Sequence, residues 1–214
     1  MKIRTAEALV DFLDAQLSWR KKELAIVLSL ITSSKTSDII REVLIRSGIP
    51  ILYAHWEGFV KISATHYVEF VVRQGLSYGE VKPNFVALAM KKQLASASET
   101  NKIEAMNRVA DFFIKNLGDK YDMPWMLSIN TKSNLSSEVL AEVISSVGLD
   151  FSFYETKKHL LDKRLLDARN NIAHGKQLLI DKEDYLEMHA EVISMLDSFS
   201  TQIQNAAVTK YYIR

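Results

Sequence analysis

FYETKKHLLDKRLLDARNNIAHG, residues 153–175, is the stretch from which the fold class is read. Leu161, Leu165, Ala168 and Ile172 recur at spacings of four, three and four, so an α-helix would set them on one stripe facing a core. Lys163, Asp167, Asn170 and His174 fall on the side away from that stripe, with Arg169 flanking them. Gly175 is the usual residue for ending a helix, which puts His174 in the last turn. An imidazole in that place can both give and take a proton near neutral pH.

The same helical period extends in both directions. Residues 4–33 carry Leu9, Phe12, Leu13, Leu17, Leu24, Val27, Leu28 and Ile31 at helical spacing, followed by a polar break at 33–37. A second helix is predicted over 38–46, ended or kinked by Gly48-Ile49-Pro50, and a third over 51–74. Pro83 suits the first turn of a helix over 84–96, before a polar break at 98–101. Residues 103–117 follow, with Met106, Val109, Ala110, Phe113 and Leu117 on one apolar side. The pattern fails from 119 to 134, where Trp125 could stack a nucleic-acid base but is expected to pack, because so apolar a loop needs covering. Asn134 or Ser136 caps a helix that ends at Gly148. The last helix, 181–204, buries Tyr185, Met188, Val192, Met195, Leu196 and Phe199, and His189 among them reads as structural. The tail, 206–214, is either frayed or docked. Seven Gly and three Pro in 214 residues leave few turn signals, and 48% hydrophobic content is enough for one core. The expectation is an all-α, single-domain multi-helix bundle over residues 1–214.

Composition removes several functions. With no Cys there is no disulfide framework, thiolate metal site or catalytic thiol, which fits a reducing interior. The amphipathic amino terminus is unlike a signal peptide, and no run reaches the roughly 18 apolar residues of a membrane span. A cytoplasmic protein with no membrane association is expected. The net charge is only +1, yet residues 157–176 hold Lys157, Lys158, Lys163, Arg164, Arg169 and Lys176 against Asp162 and Asp167. Such a helix suits a polyanion, with a solvated face favoured by the helix dipole as the plainer alternative. A second polar cluster, His55, Glu57, Lys61 and His66, reads as an intrahelical ion pair plus two histidines whose spacing suits no metal. No metal and no cofactor is expected.

Arg169 and His174, separated by four residues in Arg-Asn-Asn-Ile-Ala-His-Gly on the second-to-last helix, resemble the signature of the HEPN superfamily. Ala54-His55-Trp56-Glu57-Gly58 strengthens a resemblance to its RiboL-PSP-HEPN-like and MAE-type branch. The resemblance implies a small all-helical domain and, in many members, a metal-independent endoribonuclease of bacterial toxin–antitoxin or antiphage defence loci. It implies Arg169 and His174 as catalytic residues, with Asn170 and Glu57 supporting. RNA would be held by Lys163, Arg164 and Lys176. It further implies a homodimer whose two motif helices share one cleft, and an antitoxin or other defence partner. The alternative within the same superfamily is a noncatalytic nucleotide- or RNA-binding module.

Overall fold

The computed structural model describes residues 2–100, 102–132 and 134–214. Of the polar break expected at 98–101, residue 101 lies outside the described residues. The described residues form an all-α bundle, with only isolated bridges at Ser77–Lys120 and Val81–Ile213 and no strand among them.

The frame is made by three long helices, α1 (Ala6–Thr32), α2 (Asp38–Val72) and α8 (Lys182–Val208). Thr5 starts α1, its hydroxyl accepting from the Ala8 amide at 3.1 Å, and Asp181 starts α8 by accepting from the Asp184 amide at 2.7 Å. The face predicted for α8 is the one it buries, from Tyr185 to Phe199. α2 is buried over most of its length from Ile45 to Val71. Its Trp56 lies 6.0 Å from the ring of Tyr154 and 6.3 Å from that of Phe199, and Phe59, Tyr67 and Phe70 extend the same core.

Two predicted helices, 38–46 and 51–74, prove to be this single α2, with Pro50 inside it. Proline removes one backbone hydrogen bond and crowds the preceding turn, which normally breaks a helix. Here Ile49 and Leu52 are fully buried on either side of it, so packing holds the turn. Gly48 is not a stop signal but a contact: a Cβ built there would sit 2.8 Å from the Tyr185 ring of α8.

α3 (Pro83–Thr100) and α4 (Ile103–Lys115) form a hairpin beside this frame. α3 runs through most of the expected break. The apolar side of α4 faces solvent, with Ile103, Met106, Phe113 and Ile114 exposed and only Ala105 buried. In the loop that follows, Trp125 opens a short 3-10 turn (Trp125–Leu127) and packs half-buried near His66, which stacks on Phe12 at 4.2 Å. Base stacking was the alternative use for that indole, and packing has taken it.

α5 (Ser137–Val147) is capped by Ser136, not Asn134, and ends at Gly148 with φ +70. The motif region is not one α-helix, as its four-three-four stripe suggested. It is built from α6 (Ser152–Glu155), a π-helical stretch (Leu160–Asp167) and α7 (Ala168–Ala173). The reason is legible in Leu160-Leu161-Asp162-Lys163-Arg164 and Leu165-Leu166-Asp167-Ala168-Arg169, a repeat of five residues. In α geometry residues five apart are about 140° apart around the axis. An i→i+5 register brings them close to one face, so both leucine pairs are buried together. The chain's end is docked: the Lys82 amide donates to the Tyr212 carbonyl at 2.9 Å, and the Arg214 amide to that of Glu80 at 2.9 Å.

Burial lowers the pKa of His55 and His189 from the ordinary value of 6.5; for His55 the Glu23 carboxylate, 3.1 Å away, opposes the shift and Arg20 adds to it. For His189 the Leu24 carbonyl opposes it. As pH falls through about 6.5 the unfolded chain takes up these protons first, so this stability is complete above that value and is lost below it. Urea midpoints should therefore fall from about pH 7.5 to about pH 5.5, and His55→Gln with His189→Gln should flatten the slope. Gly48→Ala should cost about 1–3 kcal/mol in the same assay, because the buried Tyr185 ring has no room to yield.

Candidate active site

Arg169 leaves the first turn of α7 toward α2. Its guanidinium carbon lies 4.2 Å from the centroid of the Tyr53 ring. Nη1 donates to Oδ1 of Asn170 at 2.8 Å and Nη2 to Oδ1 of Asn134 at 3.1 Å. Oε2 of Glu57 stands 4.0 Å from Nη2. The other carboxylate oxygen of Glu57 accepts from the Thr131 hydroxyl at 2.6 Å, so Glu57 turns to Thr131 and Arg169 instead of pairing with Lys61. Tyr53 lies one helical turn before Glu57 and accepts the Leu135 amide at 2.6 Å. Burial raises the Tyr53 pKa, an effect opposed by the Leu135 amide and increased by Glu57, so the phenol stays neutral.

His174 is placed differently. It is the C-cap of α7, exposed, and its amide donates to the Asn170 carbonyl at 3.0 Å. Gly175 has φ +73; its amide reaches the Ile172 carbonyl, and the Lys176 amide reaches that of Asn171, both at 3.0 Å. This pair of bonds is the Schellman closure that sequence reading of Gly175 anticipated. It fixes the backbone from which the exposed His174 side chain leaves. Five positions apart, Arg169 and His174 leave the helix about 140° apart. One turns into the α2 groove and the other outward.

The remaining expected residues divide. The Asn170 side chain serves Arg169, not the His174 ring. Lys163 is exposed and pairs with Asp167 at 3.2 Å, a weak contact in water. Arg164 is held by Asp184 at 2.9 Å and Glu187 at 2.8 Å, which makes it a clamp between the π-helical stretch and α8. Lys176 is exposed just past the cap. Asp162, an acid in this basic stretch, accepts both the amide and the hydroxyl of Ser137, at 2.7 and 2.6 Å, and so ties the motif region to the start of α5. Tyr53, Thr131 and Asn134 were not foreseen. The only sequence sign was that Tyr53 and Glu57 stand four apart on α2.

The profile of the RiboL-PSP-HEPN family matches residues 15–205, from within α1 almost to the end of α8. This chain belongs to the RiboL-PSP-HEPN family. No curated protein and no solved structure matched it in the same comparisons. In this HEPN chain the guanidinium is braced by an aromatic face and a carboxylate, and the imidazole stands at an open helix end. Such a pair can hold an oxyanion and move a proton. No described helix is long and apolar enough to cross a membrane.

Gly175→Ala tests the cap. Nothing lies within 4 Å of an added Cβ, so the cost is that of the left-handed backbone alone. About 1 kcal/mol of unfolding free energy should be lost, read from urea denaturation.

Proposed function

We propose that this protein is an endoribonuclease that cleaves RNA without a metal ion, through the 2′-hydroxyl of its substrate. The observation that supports it most is the placement of Arg169 and His174 on one short helix: the first braced by Tyr53 and Glu57, the second held exposed by the Gly175 cap. His174 removes the proton from the 2′-OH, whose oxygen attacks the adjacent phosphorus. Arg169 neutralises charge on the nonbridging oxygens as the bond to the 5′-oxygen breaks. A second imidazole protonates that departing oxygen. The products are a 2′,3′-cyclic phosphate and a 5′-hydroxyl end.

One motif imidazole per chain is too few for two simultaneous proton transfers, and one helix sends Arg169 and His174 apart. A homodimer with facing α7 helices supplies both lacks. Lys163 and Lys176 are the exposed cations that would follow the RNA backbone, whereas Arg164 contributes through the shape of the site. The cytoplasm of a bacterium, with a toxin–antitoxin or antiphage role and a partner that restrains the nuclease, is the proposed setting. The second reading, a noncatalytic RNA-binding module, is favoured by one observation: Arg169 already has polar partners within its own chain.

Purified protein should cut mixed cellular RNA in EDTA and leave 2′-O-methyl RNA intact. Arg169→Ala and His174→Ala should each lower the rate at least 100-fold, in line with the loss of an electrostatic or proton-transfer group. Binding without cleavage by the unmodified protein would establish the second reading instead.

A further inference from the structure

The residue beneath Arg169 is a tyrosine, although an aliphatic side chain would fill the same core. We propose that Tyr53 is a positioning residue for Arg169: its ring face sets the plane of the guanidinium, and its hydroxyl holds the Leu135 amide next to Asn134, which bonds Arg169. This rests on the reading of Arg169 as the group that binds the RNA phosphate. Tyr53 is 3% exposed and so does not itself touch substrate.

The geometry has two halves. A guanidinium is planar, and its use on phosphate depends on presenting parallel N–H groups in one plane. At 4.2 Å from the Tyr53 centroid, the Arg169 guanidinium carbon meets a flat, negative π-face that limits rotation of the fork and attracts its charge. The second half is the hydroxyl. It takes the amide of Leu135, a residue with no exposure, and thereby satisfies a buried donor that would otherwise be orphaned. Leu135 follows Asn134, whose side-chain oxygen accepts from Arg169. Thr131 is fastened to Glu57. Tyr53 and Glu57, one turn apart, therefore hold Leu135 and Thr131 while both stand beside the guanidinium.

The test separates ring from hydroxyl and positioning from mere packing. Tyr53→Phe keeps the π-face but orphans the Leu135 amide, so it should lower the urea midpoint while kcat/KM for RNA cleavage falls no more than about threefold. Tyr53→Leu should lower it roughly tenfold and weaken binding of 2′-O-methyl RNA by a similar factor. In an Arg169→Ala background, Tyr53→Leu should leave that affinity unchanged, because the group through which it acts is gone. Equal losses in both backgrounds, or unchanged cleavage and binding in Tyr53→Leu, would overturn the inference. If circular dichroism shows Tyr53→Leu unfolded, Tyr53→Met, which fills the volume without a π-face, takes its place in the cycle. An unmodified chain that binds the 2′-O-methyl RNA yet cuts no RNA removes the nuclease reading, and the binding cycle still decides the role of Tyr53. A chain that binds no RNA overturns both.

Discussion

Between Ile45 and Val71 most of α2 is buried, and a charge on that buried part has no solvent to face. Charged groups there therefore need partners from elsewhere in the fold. Glu69 takes the Ile3 amide at 3.3 Å and Arg73 at 2.6 Å, which ties down the start of the chain. His55 takes Glu23 of α1. Glu57 takes Thr131 and stands beside Arg169. The first two are fastenings of the bundle. The third meets a cation in the first turn of the short helix whose far end carries the imidazole, so the candidate site arises from the same requirement that assembles the fold.

The all-helical architecture was legible in the chain because its signals were redundant. Apolar residues repeat at helical spacing in almost every segment, and Gly148 and Gly175 end helices with the positive φ that glycine tolerates. The misreadings came from residues with two possible uses. Gly48 and Pro50 carry a breaker signal in isolation, but a ring from α8 occupies the space that Gly48 leaves and the surrounding core holds the turn. On α4 the reverse occurred: amphipathic spacing implied a buried side, and the hairpin leaves that side in water. Periodicity tells which residues share a face. It does not tell what that face meets.

The candidate site was legible to a similar depth. Arg169, His174 and Gly175 are adjacent enough in sequence to read as a unit, and the cap geometry follows from local chemistry. Arg164 illustrates the limit. In sequence it is one more cation in a basic run, and only the approach of α8 shows that Asp184 and Glu187 already hold it. Tyr53, Thr131 and Asn134 come from two other parts of the chain, some 35 to 116 positions from Arg169. No local pattern marks them, because the contact exists only after α2, the loop and α7 have come together.

The π-helical stretch Leu160–Asp167 sets the angular phase at which α7 begins. Rewinding that stretch as an ordinary α-helix with every residue kept would turn whatever follows the first leucine pair by about a quarter turn. Arg169 would swing off the α2 groove, and the helix end bearing His174 would turn with it. The wider turn thus works as a mechanical offset: it absorbs one residue and keeps the leucines and the helix tip in phase together.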